Sequence, residues 1–581
     1  MNIKNIFKGR VMSVMLLLVM GLWACNEDSI LKETPKDFYS TSNLYSTASE
    51  MEQAVIGLHA TISSMYTNKG KWTALLKGKG TDVSYDGENP AGSWWLTDWT
   101  VQLIPTDSKA SYFWDFCYQL INRANTLITA IEATEASDEM WIGKEDQREI
   151  LLGEGKFFRA WAYRVLVTMY GDVPLVTEPV TKPRIDFTRT PKSEVYKLLE
   201  QDLTFATQNL PDPGQEAAPG RITKGAAFHM LAEVYLAEQK WQDAIDASSA
   251  VIEGTFGYAL MQERFGAQLG NDDPLLGGGD VYYDLFRYGN QNDLANTEDI
   301  WVIQIEPNID GGGNHQGERM WGPAYYRMGN DPAGKRAIVG DNPEATSNIY
   351  LSTFSRPVAW NKPTNLVAYY VWKSDWDNDI RNARHNMFRD WRYNNPDSPE
   401  WYGKPIDFVN DYPEGSRNVL RDTSQYIFPF PMKAASPGIH FTDPNRSGGG
   451  SNHLDVYAYR LAETYLVRAE AYLGKGDKDK AAADINVVRS RAQANPVAAA
   501  DVDIDYILDE RIRELYTEEL RLITLMRLGL LYDRVHRFND NPVANGGVGQ
   551  GIQPYHNLFP IPQSEIDLNS DAELTQNPGY N

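Results

Sequence analysis

Two stretches far apart in the sequence carry the same pattern, and that repeat constrains the fold more than any other feature. "LAEVYLAEQKWQDA" (231–244) aligns with "RAEAYLGKGDKDKA" (468–481), so Ala232, Glu233, Tyr235 and Ala244 stand where Ala469, Glu470, Tyr472 and Ala481 stand. Small residues let two helices approach closely, and an aromatic one turn later fills the space beside them. Each stretch predicts two antiparallel helices with a tight break, at Gln239–Lys240 in the first. Phe228, Leu231, Ala232 and Tyr235 line one helix of that pair, and Trp241, Ala244, Ile245 and Ile252 line the other. Within 153–176, Phe158, Trp161, Ala162, Val165 and Met169 fall at i, i+3, i+4, i+7 and i+11, a single apolar stripe. Gly171 suits the left-handed end of that helix, and Pro174 stops its continuation.

A helix pair that cannot bury its own apolar faces must stack on its neighbours. The spacing is that of a tetratricopeptide-like unit, and segments around 112–134 and 191–209 supply further helices. Between about 255 and 455 the helical period disappears into Gly, Asn, Asp, Pro and aromatics, as in "NIDGGGNHQGERMWGPAYYRMGN". The expected fold class is mainly α: a tetratricopeptide-like helical-repeat scaffold with one large irregular, loop-rich insertion. The frame is expected over about 45–254 and 455–535, the irregular face over about 255–454 and a tail over 536–581, all in one domain from 25 to 581.

The N-terminus reads as a targeting segment. Lys4, Lys8 and Arg10 precede the apolar run "VMSVMLLLVMGLWA", which is too short to span a bilayer comfortably. Cys25 follows at once in "LWAC", as in a lipobox that makes this cysteine the lipidated first residue of the mature protein. Loss of residues 1–24 takes the formal charge from −23 to about −26. That balance argues against a nucleic-acid partner, because neutralising phosphates needs clustered Lys and Arg. Cys117, the other of the two cysteines, lies in an apolar helical pattern and reads as a small buried hydrophobe.

Catalytic signatures are scarce. There is no G-x-S-x-G elbow, H-E-x-x-H zinc motif, C-x-x-C pair or phosphate-binding loop, and the eight histidines are scattered. Two D-x-D-x-D runs, Asp375/Asp377/Asp379 and Asp501/Asp503/Asp505, lack the glycine and glutamate of a calcium loop. The second is placed to cap a helix; the first leaves a structural Ca²⁺ open, and no other metal or cofactor is implied.

What remains is a set of aromatics in loops. Trp94, Trp95 and Trp99 lie in "AGSWWLTDWT", and Trp321, Tyr325 and Tyr326 lie in "RMWGPAYYR", among Gly, Asp and Asn. Each is open to two readings, anchoring a loop by packing or stacking on a ligand. Flat rings amid short polar side chains suit a sugar, whose C–H face stacks while amides and carboxylates take the hydroxyls.

Several segments resemble those of the SusD/RagB outer-membrane lipoproteins: 153–176, 221–245, "YRLAETYLVRAEAYLGKGD" (459–477), "ILDERIRELYTEELRL" (507–522) and "LFPIPQSEIDLNSDAELTQNPGY" (558–580). The resemblance implies a surface-exposed, lipid-anchored outer-membrane protein without catalytic activity. It implies capture of an oligo- or polysaccharide and delivery to a SusC-like TonB-dependent transporter. By position it matches Trp94, Trp95 and Trp99 to one binding loop and Trp321 to a second. Related import systems take peptides, so a peptide ligand stays open, and so does a surface glycosidase on a helical scaffold.

Overall fold

The computed structural model describes residues 45–67, 70–89, 96–306, 309, 311–339, 349–438, 451–541 and 551–580. Cys25, Trp94 and Trp95 lie outside the described residues. The chain forms two units, one ending at Gln53 and one running from Ala54 to Asn581. Helix α1 (Ala48–Tyr66) starts before the Gln53 boundary and ends after it, and at its start the Glu50 carboxylate accepts from the Ser46 N–H at 2.7 Å and the Thr47 N–H at 3.1 Å.

The frame of the second unit is a row of helices: α2 (Ser108–Glu132), α3 (Glu145–Tyr170), α4 (Lys192–Asn209), α5 (Lys224–Ala237), α6 (Trp241–Ile252), α7 (Leu461–Lys475) and α8 (Lys478–Arg491). Each packs on the next in that order, and α9 (Ile504–Leu515) packs on α7. The step from α6 to α7 crosses the insertion: Arg468 Nη1 donates to Ser249 Oγ at 2.9 Å across 219 residues of sequence. The row is the mainly helical, repeat-built scaffold that the sequence predicts. The stripe Phe158, Trp161, Ala162, Val165 and Met169 is wholly buried on α3. Gln239 turns between α5 and α6 with a φ of +59°, and Gly171 ends α3 with a φ of +74°.

The repeat reaches into electrostatics. Glu233 and Glu470 occupy equivalent places, and each pairs with an arginine from another helix: Glu233 with Arg164 of α3, Glu470 with Arg527 at 2.6 Å. Arg527 ends α10 (Arg521–Arg527), which leads to α11 (Leu531–Phe538). Gly474 has a local packing reason: a Cβ there would stand 2.6 Å from the Trp241 ring, so only glycine lets α6 and α7 close.

Six short strands belong to the less regular parts: β1 (Ser84–Tyr85), β2 (Asp299–Ile303), β3 (Lys362–Pro363), β4 (Met387–Phe388), β5 (Phe430–Pro431) and β6 (Val456–Arg460), counted among the described residues. They pair antiparallel as β1–β3, β2–β6 and β4–β5. The β2–β6 pair runs from Asp299↔Arg460 to Ile303↔Val456 and closes the neck of the insertion. Beyond it the insertion builds an aromatic core of its own. Phe354 lies 4.7 Å from Phe388 and 4.9 Å from Trp391, and Tyr325 and Tyr350 stack on Trp391 at 5.5 and 5.8 Å. Aromatic pairs of this kind add to the burial of their large apolar area.

A buried ion network joins insertion and frame. Arg460 Nη1, at the end of β6, donates to Glu514 on α9 at 2.7 Å and to Glu298 beside β2 at 2.9 Å. Arg381 of the insertion donates to Glu514 at 2.9 Å. Desolvating so many charges is costly, and leaving any one of them alone costs more than the pair is worth.

In each aspartate run two of the three carboxylates are taken up by neighbours. Asp375 accepts from Arg489 at 2.6 Å, and Asp379 accepts both prongs of Arg381 at 2.8 and 2.7 Å. With these two carboxylates already neutralised by guanidinium groups, the run does not form the calcium loop left open by the sequence. Asp503 caps α9 by accepting from the Tyr506 N–H at 2.8 Å. Cys117 is buried on α2, and burial pushes its thiol pKa up. Among the described residues no helix is long and apolar enough to cross a membrane.

Candidate functional site

Residues 86–89 follow β1 as a turn against the insertion. Tyr85 pairs with Lys362 of β3, and the Lys362 ammonium donates to the Tyr85 hydroxyl at 2.7 Å. Asp86 then turns the chain by accepting from the Asn89 N–H at 3.1 Å, while its carboxylate lies 3.0 Å from the buried Lys79 ammonium. Gly87 is pressed against backbone: a Cβ there would stand 2.6 Å from the Ser424 carbonyl oxygen and 2.9 Å from that of Ala359.

Three further segments interlock here. The Val358, Ala359 and Asn361 N–H groups donate to the carbonyls of Arg319, Gly322 and Met320 at 3.2, 3.0 and 2.7 Å. The Ala324 N–H donates to the Gln425 carbonyl at 2.8 Å. These bonds lay the short helix Gly317–Trp321, the turn Tyr325–Arg327 and the strand-like 355–363 side by side. They fix the floor from which the Gly87 loop rises.

Two half-buried aromatic rings lie on this surface, each with arginine over it. The Arg319 guanidinium is 5.4 Å from the Trp360 ring, and those of Arg356 and Arg327 are 4.8 and 5.5 Å from the Tyr326 ring. Arg336 Nη2 donates to the Tyr326 carbonyl at 3.2 Å. Burial lowers the Arg319 pKa; Tyr326 and Glu88 oppose that shift, and Arg327 and Arg356 add to it. The surface thus offers apolar ring faces edged by charged hydrogen-bond donors, with Glu88 as the nearby carboxylate. It can stack a flat or puckered ring and hold its oxygen substituents.

The structure corrects the sequence expectation at three positions. Trp99, Trp321 and Tyr325 are 1, 1 and 0 % exposed, so their rings are packing residues rather than free platforms. Trp99 opens a short helix capped by Asp98 and packs 5.7 Å from the His556 ring. Trp321 lies 4.8 Å from Tyr516, and the Tyr325 hydroxyl donates to the Ser355 carbonyl at 2.5 Å. Tyr326 alone among the described candidates keeps part of its ring at the surface. Sequence reading passed over Trp360 and its arginines. The signal that could have found them is the run of basic residues beside aromatics in "GERMWGPAYYR" and "SRPVAW".

Two other features are distinct from this surface. His229, Glu233 and Glu463 come close enough together to hold an ion. Glu233 is already paired with Arg164 and Glu463 with Arg511, and Thr464 Oγ1 lies 2.9 Å from His229 Nδ1. The trio is therefore part of an ion network. A cleft of about 450 Å³ lies between α2 and the C-terminal segment, with Trp114, Tyr118, Phe187 and Leu574 in its walls and Asp115 and Glu565 as its acids. The Tyr118 hydroxyl is spent on the Pro174 carbonyl at 2.8 Å.

Comparison with known proteins agrees with this architecture. Residues 297–580 match the SusD family, and residues 37–236 match a family described as starch-binding and associating with the outer membrane. The chain is 25 % identical to the SusD-like protein P25 of Formosa agariphila over 100 % of both chains. Over a shorter stretch, 22 % of each chain, it is 34 % identical to the starch-binding protein SusD of Bacteroides thetaiotaomicron. Among solved structures, a laminarin-binding SusD-like protein superposes with a TM-score of 0.63 at 23 % identity, covering 92 % of this chain and 99 % of that one. With the helical frame, the neck of the insertion and the C-terminal segment all falling within these matches, the chain belongs to the SusD/RagB family.

Proposed function

We propose that this protein is a glycan-binding lipoprotein of the outer membrane, exposed at the cell surface and anchored through Cys25. In this reading it captures oligo- or polysaccharide and delivers it to a SusC-like TonB-dependent transporter, and it performs no catalysis. The observation that carries the reading is the pair of half-buried rings, Trp360 and Tyr326, edged by Arg319, Arg327 and Arg356 beside the Gly87 turn. The starch-binding and laminarin-binding relatives support a saccharide, and the outer-membrane family description supports the location.

The energetics suit a captor. A sugar face stacked on one ring removes on the order of 100 Å² of apolar surface from water, worth about 2–3 kcal/mol. Two such contacts supply about 4–6 kcal/mol before ordering costs, a roughly micromolar-to-millimolar affinity once hydrogen bonds are added. A ligand held that weakly is released again quickly, as hand-over requires.

One observation favours a second reading. The local cluster of guanidinium groups also suits an acidic peptide. The experiment is to present a panel of saccharides and peptides to the protein lacking residues 1–25, with chromatography of the recovered ligands. Retention of intact saccharide is expected. Shortened saccharide would identify a glycosidase, and retention of peptide alone would replace the glycan reading.

A further inference from the structure

The protein carries a formal charge of −23, yet three guanidinium groups converge around two ring faces. Neither Arg327 nor Arg356 has a carboxylate partner among the described residues. Many arginines elsewhere in the fold are taken up by acids, as Arg381, Arg460, Arg489, Arg491 and Arg534 are, and others, such as Arg189 and Arg389, by carbonyl and amide oxygens. Three guanidinium groups stand against one nearby carboxylate, Glu88, and in an acidic protein such an excess is a local reversal of the field. Arg319 is half-buried and lies close enough to Arg327 and Arg356 for their charges to act on its own. Guanidinium forks match carboxylate and sulfate oxygens, two parallel donors to two acceptors, better than they match single hydroxyls.

We infer that the Trp360–Tyr326 surface selects an anionic saccharide, a sugar ring bearing carboxylate or sulfate, over a neutral one. The inference rests on the glycan reading above and adds to it the chemical class of the ligand. The rings take the C–H face of the sugar, and Arg327 and Arg356 take the anionic substituent. Arg319, over Trp360, holds the neighbouring oxygens. The cleft beside α2 sets two acids, Asp115 and Glu565, against one arginine, Arg123, and holds no such cluster.

The test is calorimetry on the protein lacking residues 1–25 with polyglutamate as a peptide control and three saccharides of similar length: oligogalacturonate for carboxylate, carrageenan oligosaccharide for sulfate and laminari-oligosaccharide as neutral. At least one anionic probe is expected to bind tenfold or more tightly than the neutral one, and the margin should shrink as salt is raised. Arg327→Gln with Arg356→Gln should abolish the margin at an unchanged melting temperature, whereas Asp115→Asn in the cleft should leave it intact. The outcome of the carboxylate and sulfate arms identifies which anion is meant. Equal or tighter binding of the neutral probe would overturn the inference while leaving the glycan reading standing. Binding of polyglutamate with no saccharide binding would overturn both.

Discussion

Arg521 and Asp82, 439 residues apart in sequence, form a two-pronged buried ion pair: Nη2 donates to Oδ2 at 2.7 Å and Nε to Oδ1 at 3.1 Å. Arg534 Nε donates to the same Oδ2 at 2.9 Å. Asp82 stands two residues before β1, so the stem of the Gly87 loop is tied directly to α10 and α11. Asn539 adds a bond from its side-chain amide to the Thr81 carbonyl at 2.6 Å. The loop next to the proposed ligand surface is therefore held by the last helices of the frame.

This pairing predicts a specific acid sensitivity. Burial alone would raise the Asp82 pKa, but Arg521 and Arg534 outweigh it and hold the carboxyl down at about 2. An unfolded aspartate titrates near ~3.9, so the stabilisation is complete above that pH and is lost as pH falls through about 2. The depression corresponds to about 2–3 kcal/mol. Urea unfolding followed between pH 6 and the acid limit should show that loss. Asp82→Asn should flatten the response over the same window and cost about 3–5 kcal/mol at neutral pH, because it strands two buried guanidinium groups.

The tryptophans should sort by burial. Trp321→Ala and Trp99→Ala empty core volume and should each cost about 3–5 kcal/mol, seen as early melting. Trp360→Ala and Tyr326→Ala remove half-buried rings and should melt nearly normally while weakening saccharide binding about tenfold or more. Calorimetry and melting on the same samples separate the two classes. A Trp360→Ala protein that binds normally would move the site elsewhere.

Two glycines should respond to alanine in opposite directions. Gly87→Ala drives a methyl into two backbone carbonyls and should destabilise by about 1–3 kcal/mol while displacing the loop and weakening binding. Gly57, inside α1, has nothing within 4 Å of its would-be Cβ. Gly57→Ala should stabilise by about 0.5–1 kcal/mol through helix propensity. Thermal unfolding of the two variants checks both signs.

Anchoring and partner are tested together in cells. Cys25→Ser should release the protein from membranes, since stable anchoring needs the acyl chains that this cysteine would carry. The lipidated protein, solubilised in detergent, should co-purify with a large β-barrel transporter. Retention of the Cys25→Ser variant on membranes washed in high salt would refute the anchor. Recovery of the native protein always alone would refute the transporter partner.

The sequence by itself determined the helical frame, because small residues, aromatics and breaks at fixed spacing leave a helix pair one way to bury its faces. Phe158, Trp161 and Ala232 announce their burial through period alone, and the Glu233/Glu470 equivalence carries the repeat into the pairing of charges. Asp503 as a cap and Cys117 as a small hydrophobe follow from local context in the same way. The site was legible only in part. Aromatics at Trp321 and Tyr325 look like loop platforms because Gly, Asn and Pro surround them, and no period marks a core there. Only the tertiary structure decided otherwise: the insertion folds over its own rings, and contacts from Tyr350, Trp391 and Tyr516, remote in sequence, claim both residues. The same closure sets Arg319 over Trp360 and Arg356 over Tyr326, and brings Arg489 to Asp375. Periodicity reports neighbours one turn away. Which ring stays at the surface, and which charge finds a partner, depends on segments brought together from well beyond one helical turn.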